Sequence, residues 1–313
     1  MNEENNKDPY QNMVEGKDQN IMDQVKQNGL GRATMDRFRN DTQDSDVHLG
    51  WLDIDMELMP SSGKFYPADT KLQIRSAQVA EIRHFSTLDE NNLMDIEDKL
   101  NSIVKACVKF KAGTRMMSYK DILEEDRIFL LLSIRDLTFP EAENKLMLKA
   151  TDNEGVEFDV ELSTKYFDTE EVPAEIEQYY DSEQRAYVIQ TKSAGEVIMA
   201  PPSIGVMEEV TKFMQARQRE RKNWDQAFLQ ILPYLQQDWR GFNSKKIFEK
   251  EVEFQGWSER KYMVIYRLAE KMKIGVKPEL KVDRQGEEVL VPLDFPGGIK
   301  GLFIISDLSG ELL

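Results

Sequence analysis

Cysteine and histidine are scarce in this sequence of 313 residues, which holds one cysteine and two histidines. Because Cys107 is alone, neither an internal disulfide nor a thiol-rich metal site can form. We expect Cys107 to be a small buried apolar residue, and a single cysteine fits a reducing cytoplasm. His48 follows Asp44 and Asp46, so a carboxylate–histidine pair is conceivable there, but an exposed residue is the simpler interpretation. His84 is expected to be a structural histidine.

Positive charge is also in short supply, with 41 Lys and Arg against 57 Asp and Glu and a formal net charge of −16. Phosphate backbones and anionic lipids attract clustered lysine and arginine, so this balance argues against a nucleic-acid partner and against a membrane partner. The longest apolar run near the end, Gly301 to Ile305, is too short to span a bilayer. The first residues lack the basic start and the apolar stretch of a signal peptide. We therefore expect a soluble protein of the cytoplasm.

Motifs that carry enzyme chemistry are missing as well. The sequence has no nucleophile elbow, no phosphate-binding loop and no dinucleotide fingerprint. The run from Gly297 to Gly301 lacks the lysine spacing of a phosphate cradle and is interpreted as a turn. Asp53 and Asp55 could form a hard-metal pair, but their alternation places both on the solvent face of a strand. We expect no catalytic residue, no cofactor, no metal and no small-molecule substrate; an enzyme that works through carboxylates alone stays open as an alternative.

The chain divides by composition into four parts. Residues 1–46 are rich in Asn, Gln, Asp and Glu, which predicts a disordered acidic tail. Residues 47–170 alternate strand and helix patterns and predict a small α+β module. Residues 171–202 are acidic and punctuated by prolines, which predicts a linker between two halves with one short strand-like run, Ala186 to Thr191. Residues 203–313 predict a mainly helical module closed by C-terminal β-hairpins, so the expected fold class is α+β. Its apolar positions predict four stretches of helix, which carry Val206 to Met214, Trp224 to Leu235, Lys245 to Phe254 and Tyr262 to Leu268. The charged run from Arg217 to Lys222 is expected to be a solvated helical turn.

Hydrophobic periodicity places the elements of the first module. Alternation from Leu52 to Leu58 predicts a strand, and a second strand is expected around Leu72 to Arg75. Spacing near 3.6 residues predicts a helix over 87–105. Ser118 is expected to cap a helix whose buried face runs from Ile122 to Ile134.

Two hairpins share a spacing. Leu148-Lys149, a turn, and Gly155-x-Glu157-x-x-Val160-x-Leu162 recur as Leu280-Lys281, a turn, and Gly286-x-Glu288-x-x-Val291-x-Leu293. The repetition predicts two related modules or one type of hairpin used twice. The similarity of all tight hairpins is the alternative. A final strand is expected from Leu302 to Ile305.

The loop from Leu58 to Pro67 reads Leu-Met-Pro-Ser-Ser-Gly-Lys-Phe-Tyr-Pro. Pro60 and Pro67 fix φ, and Gly63 permits a turn that a β-carbon would strain. Phe65 and Tyr66 are adjacent, so on an extended segment one ring can anchor in the core while the other faces a neighbour. These five residues form the candidate partner-contact site, with a purely internal turn as the alternative.

This loop resembles the opening signature of the T4-like phage baseplate hub family, which reads Leu-Pro-Ser-x-Gly-x-x-Tyr-Pro; here Met59 is inserted after Leu58. The order behind it is also similar over residues 55 to 165: a strand with Arg75, an acidic helix, the run from Leu131 to Arg135, and a hairpin. In related phage proteins that hairpin often carries a Cys-x-x-Cys turn like a small zinc ribbon. The turns here have no cysteine, so the resemblance implies hairpins held by packing and hydrogen bonds.

What the resemblance implies is a non-enzymatic structural component or assembly factor of the baseplate hub of a contractile phage tail. Its partners would be other phage tail and baseplate proteins. Its location would be the virion, in the tail baseplate, or the host cytoplasm during assembly. The other hypothesis is a soluble adaptor or regulatory protein that binds a partner helix through its helical half.

Overall fold

The computed structural model describes residues 50–140, 145–152, 154–162, 168–284, 286–293, 295 and 298–303. The predicted tail over 1–46 and His48 lie outside the described residues. The rest is a mixed α+β fold, as predicted.

The strands are β1 Leu52–Ile54, β2 Thr70–Ile74, β3 Val108–Ala112, β4 Arg115–Met116, β5 Met147–Thr151, β6 Glu157–Glu161, β7 Thr169–Glu170, β8 Tyr180–Asp181, β9 Ala186–Thr191, β10 Gly195–Met199, β11 Gly275–Val276, β12 Glu279–Arg284 and β13 Glu287–Pro292. The α-helices are α1 Val79–Ser86, α2 Leu93–Cys107, α3 Glu124–Thr138, α4 Ala174–Glu177, α5 Ile204–Arg219, α6 Gln226–Ile231, α7 Ser244–Gln255 and α8 Glu259–Lys271.

The first sheet is antiparallel with the strand order β1-β2-β3-β4. Its inner face buries Leu72, Ile74 and Phe110, all in one hydrophobic core with residues of α2 and α3. The strand predicted from Leu52 to Leu58 ends early, at Ile54. The Asp55 carboxylate accepts the Glu57 N–H at 3.0 Å and starts a 3-10 turn, which breaks the ladder.

The helices of the first module differ from the predicted ranges. Helix α2 begins at Leu93 because Asn92 caps it, accepting the Met94 N–H at 3.1 Å. Helix α1 was not predicted. Ser118 caps only a 3-10 turn over Tyr119–Asp121. Helix α3 starts later, at Glu124, because residues 122 and 123 are extended and pair with the backbone of residues 202–204.

Both predicted hairpins are present, and they are equivalent in register. Leu148 pairs with Val160 in β5–β6, and Leu280 pairs with Val291 in β12–β13. The two hairpins also share a hydrogen bond just beyond the strand ends. The Leu162 N–H donates to the Leu146 carbonyl at 2.8 Å, and at the equivalent position the Leu293 N–H donates to the Pro278 carbonyl at 2.7 Å. Gly155 and Gly286 have φ of +83° and +88°, the left-handed region that the turns require. One hairpin geometry is therefore used twice.

Residues 171–202, for which the sequence predicts a linker with one short strand, contain a three-stranded antiparallel sheet with the order β10-β9-β8. The predicted strand from Ala186 to Thr191 is confirmed as β9, the middle strand. Tyr187, Ile189, Val197 and Met199 of this sheet are buried in a second core. The apolar side of β9 and β10 packs against α8, whose Ile265 and other residues belong to the same core. The acidic residues that gave this segment its linker-like composition lie mostly outside the three strands.

The four predicted stretches of helix after residue 203 are confirmed, and a third core lies between α5, α6 and α7. No residue of the C-terminal hairpin belongs to this third core among the described residues. Leu280, Val289 and Val291 belong to the first core, beside β5 and β6. The sequence predicts one module over 203–313, whereas the packing assigns its last strands to the N-terminal core. Leu302 ends a 3-10 turn over Ile299–Leu302 rather than starting a strand; residues 304 and 305 lie outside the described residues.

Candidate functional site

The loop from Pro60 to Pro67 is a series of tight turns between the 3-10 turn Met56–Leu58 and β2. Backbone hydrogen bonds from Ser62 to the Met59 carbonyl (2.8 Å) and from Lys64 to the Ser61 carbonyl (3.1 Å) close the first two turns. Gly63 has φ of +72°, and a β-carbon there would lie 3.1 Å from Met56 Cβ. Glycine is therefore required both by the backbone angle and by the close approach, as the sequence predicted for this turn.

A buried carboxylate holds the loop. Asp126, in the first turn of α3, is fully buried and accepts three hydrogen bonds from the loop. The Ser61 N–H donates to Oδ1 at 2.9 Å, while the Ser61 hydroxyl and the Tyr66 hydroxyl each donate to Oδ2 at 2.7 Å. Burial raises the pKa of Asp126, and the hydrogen bonds offset part of that effect. Such charge-assisted bonds fix the loop against the start of α3.

Tyr66 also fixes the loop to the first core and to the start of α3. Its ring meets Phe110 edge-on at 5.4 Å between centroids, and its hydroxyl accepts the Leu123 N–H at 2.9 Å. The Leu123 N–H precedes α3 and has no partner within that helix. Burial, together with the charge of Asp126, raises the pKa of Tyr66 well above its ordinary value. The hydroxyl therefore acts as a fixed link between the loop and the helix.

Phe65 points the other way, into the second core. Its ring meets Tyr180 at 5.5 Å and Tyr187 at 5.8 Å, both edge-on. The Tyr180 hydroxyl donates to the Lys64 carbonyl, and Lys64 Nζ lies 2.7 Å from Glu177 Oε1. The two rings lie on opposite sides, as the sequence predicts, although the segment is a series of turns and not extended. The neighbour of Phe65 is the second core of the same chain. The loop thus joins the two cores.

The exposed part of the loop is small. Pro60 and Ser61 are buried and Pro67 is half-buried, whereas Ser62 and Lys64 are exposed. Ser62 has φ of +50°, so its side chain is held in a defined direction by a strained turn. A contact with a partner would be made by this tip, formed by Ser62, Gly63 and Lys64, and not by the aromatic rings. The partner-contact role of the loop stays a prediction.

The sequence did not indicate Asp126 as the centre of this arrangement. Glu124, Glu125 and Asp126 are three consecutive acids, and acids are common in the first turn of any helix. The structure separates them: Asp126 turns toward the loop, and Glu124 pairs with Arg127. Only the meeting of the loop with α3 distinguishes the three positions, and no local pattern encodes it.

The other candidates from the sequence have internal roles. Cys107 is buried, and burial raises its pKa to about 12. Asp53 accepts a hydrogen bond from Gln73 at 2.8 Å, while Asp55 caps a turn. Arg217, expected at a solvated helical turn, pairs with the buried Glu251 at 2.6 Å. Lys99 Nζ lies 3.4 Å from His84 Nδ1.

Among the described residues, no group of three or more His, Cys, Asp or Glu side chains is arranged to hold a metal ion. Within the same part of the chain, no helix combines the length and the apolar character needed to cross a bilayer. No family model, no curated protein and no solved structure matches this chain.

Proposed function

We propose that the chain is a structural component or assembly factor of the baseplate hub of a contractile phage tail, acting through contacts with other tail and baseplate proteins. The observation that carries the proposal is that the stretch resembling the hub family is a loop fixed by buried hydrogen bonds and by aromatic packing. Three hydrogen bonds to Asp126 and the packing of Phe65 and Tyr66 into two cores hold it. A loop that is already ordered loses little conformational entropy when it docks in an assembly.

The proposal places the protein in the tail baseplate of the virion or in the host cytoplasm during assembly. Mass spectrometry of purified phage particles and of tail assembly intermediates tests this. Detection in particles supports a structural component, and detection only in intermediates supports an assembly factor. Absence from both fractions, in cells where the chain is detected, overturns the proposal.

The tip of the loop gives a second test. Ser62→Asn with Lys64→Gln changes the two exposed side chains, and asparagine tolerates the left-handed conformation. We expect folded protein of this double variant to lose tail assembly in a complementation assay, with a melting temperature within a few degrees of the wild type. Lys245→Gln on α7, at a side chain that is 85% exposed, is the matched control and should assemble normally. Normal assembly of the double variant would remove the loop tip from the interface.

An adaptor that binds a partner helix through the helical half is the second candidate. Phe248 and Val252 favour it, because they lie one turn apart on α7 and are 48% and 52% exposed. Under this alternative, Phe248→Ser with Val252→Ser would impair binding of the partner helix, and the loop-tip variant would not. The two variants therefore separate the two candidates.

A further inference from the structure

The side of α8 that points away from the cores carries two exposed arginines. Ile265 and Ala269 are the buried residues of this helix, and both belong to the second core. Arg260, Met263 and Arg267 are exposed. Positions i, i+3 and i+7 share one side of a helix, and at about 100° per residue this side lies opposite Ile265. We call it the outer face of α8 and define it by Arg260, Met263 and Arg267.

The two arginines of the outer face differ from the lysines of the same helix. Lys261 Nζ lies 4.1 Å from the centroid of the Trp257 ring. Lys271 forms an ion pair with Glu175. Neither arginine has an ion-pair, hydrogen-bond or ring partner for its side chain among the residues that the structure describes. Their guanidinium groups are therefore available to a ligand.

The acidic residues of α8 are stabilised in other ways. Glu270 Oε1 lies 2.8 Å from Lys273 Nζ. Glu259 lies in the first turn of α8, where the partial positive charge of the helix end favours a carboxylate. Neither acid pairs with an arginine of the outer face. The chain has a net charge of −16, so two arginines without an acidic partner are not a consequence of composition.

The outer face also has an apolar centre. Met263 lies between the two arginines and is 37% exposed. Val264 is half-buried and lies one turn after Arg260. A methionine side chain adapts to the shape of what it contacts, and methionine and arginine are both enriched in protein interfaces. The face thus combines an apolar middle with a positive charge at each end.

We propose that the outer face of α8 is a docking site for an acidic amphipathic helix of a partner protein. Residues i and i+7 of a helix are separated by about 10.5 Å along its axis, which is the spacing of Arg260 and Arg267. A partner helix with glutamates at i and i+7 has the same spacing, and an apolar residue between them meets Met263. The planar guanidinium group can bind a carboxylate through two parallel hydrogen bonds. The proposal does not depend on the phage-tail assignment, and the outer face of α8 does not include Phe248 or Val252 of α7.

The spacing of the arginines favours a helix over an extended peptide. A separation of about 10.5 Å corresponds to about three residues of a strand, and side chains three residues apart on a strand point to opposite faces. One face of an extended peptide therefore cannot present a carboxylate to both arginines. A nucleic acid is disfavoured by charge, because two arginines neutralise few phosphates and a chain of net charge −16 repels a long polyanion.

The experiment is fluorescence anisotropy with the full chain at low salt. The probe is a fluorescein-labelled peptide of about 20 residues, long enough to form a helix, with Glu-x-x-Leu-Leu-x-x-Glu in a background of Ala and Gln. One control peptide has Gln in place of both Glu. In a second control the last Glu is moved by two positions, which places it on the other side of the helix. We expect the probe to bind with salt-dependent affinity and both controls to bind more weakly.

Variants of the chain locate the binding site. Arg260→Gln with Arg267→Gln should weaken binding of the probe roughly tenfold, as loss of two exposed ion pairs does. Arg83→Gln with Arg115→Gln, on α1 and β4, is the matched control, because it removes two exposed arginines elsewhere and should leave the affinity unchanged. Reversal of both charges on α8, by Arg260→Glu with Arg267→Glu, should make the chain bind a peptide with Lys in place of Glu more tightly than the wild type does.

Several results would overturn the proposal. Equal losses in the two Gln double variants would show attraction without a defined site. Equal binding of the probe and the shifted peptide would show that the spacing of the carboxylates is not recognised. Tighter binding of a short oligothymidylate would make the face a nucleic-acid surface. If the Gln double variant on α8 fails to fold, Arg267→Gln alone must weaken binding, or the face is not the site.

Discussion

Carboxyl groups on helix α3 show how placement changes the consequence of one residue type. Asp126 accepts three hydrogen bonds, which stabilise its charge in the interior. Glu125 has one carboxylate oxygen, Oε2, that is buried and without a hydrogen-bond partner, and burial raises its pKa well above the ordinary value. Asp136 is intermediate, because burial raises its pKa to about 6 while Arg135 opposes the shift. The free-energy cost of burying each carboxyl group therefore depends on the hydrogen-bond donors and positive charges that the rest of the fold places beside it.

Asp136 gives the protein a pH dependence of known sign. Its pKa rises from 3.8 in the unfolded chain to about 6 in the fold, so the folded state holds the proton more tightly. Its contribution to stability is greatest below pH 4 and is lost as pH rises from about 4 to 6. Asp136→Asn cannot ionise, and we expect it to gain up to about 3 kcal/mol relative to wild type between pH 4 and pH 7. Urea denaturation at the two pH values measures this gain.

Asp98→Asn on the exposed side of α2 is the matched control for that experiment, since it makes the same chemical change at the surface. A gain of the same size in both variants would show that the effect does not come from the half-buried position of Asp136. A variant of Asp136 that is equally stable relative to wild type at both pH values would contradict the assignment.

At the scale of elements, the two hairpins are related by register and also lie together. Arg284, at the end of β12, has Nε 3.2 Å from Asp152 Oδ2 in the turn of the other hairpin. Its guanidinium lies 3.9 Å from the centroid of the Phe158 ring. Strand β13 runs beside β5, and the inner residues of both hairpins share the first core. The turns without cysteine are thus joined by an ion pair and a cation–π contact.

A double-mutant cycle measures the coupling energy between Arg284 and Asp152. Arg284→Gln should lower the free energy of unfolding by about 1–2 kcal/mol, because it loses both the carboxylate and the ring. Asp152→Asn keeps Oδ1, which accepts the Val156 N–H at 2.8 Å, and removes only the charge. We expect a coupling energy of about 0.5–1 kcal/mol between the two changes.

Lys149→Gln on the exposed side of β5 is the control for the loss of a positive charge, and its effect should be near zero. A coupling energy of zero would mean that the hairpins are held by apolar packing alone. An equal effect of Lys149→Gln would assign the loss to net charge.

At the scale of the whole molecule, backbone hydrogen bonds connect the start of α3 with the start of α5. The Glu124 N–H donates to the Pro202 carbonyl at 2.9 Å, and the Ile204 N–H donates to the Ile122 carbonyl at 2.8 Å. The Trp239 indole N–H donates to Asp121 Oδ1 at 2.8 Å across the same junction. Gly205, in the first turn of α5, allows the Trp239 ring to lie close to the backbone of this helix. A β-carbon there would lie 2.5 Å from Trp239 Cγ.

Gly205→Ala is therefore expected to destabilise the protein, although alanine normally favours a helix over glycine. The added methyl group displaces the indole and breaks its hydrogen bond, with an expected loss of about 1–3 kcal/mol in urea denaturation. Gly256→Ala is the matched control, because its nearest neighbour is a carbonyl oxygen at 3.4 Å. It should be neutral or slightly stabilising. A neutral Gly205→Ala would mean that the junction tolerates the displacement of Trp239.

The sequence alone determined the features that repeat over a few residues. The period of apolar positions predicts α5 and α8, and alternation with a glycine turn predicts both hairpins. The rigid loop was also predictable, since its prolines restrict the backbone and Gly63 permits the turn without help from the rest of the chain. These signals are local because they arise from side chains that share one face of one element.

The tertiary structure determined which faces of the helices, strands and loops pack against one another. It placed the hydroxyl of Tyr66 on Asp126, sixty residues along the chain. It set Phe65 against a sheet formed by residues that the sequence assigned to a linker, and it returned the last hairpin to the first core. It also arranged Lys71 opposite Lys111 across two strands. Contacts between distant segments depend on the complementarity of whole surfaces, and no short stretch of the sequence contains that information.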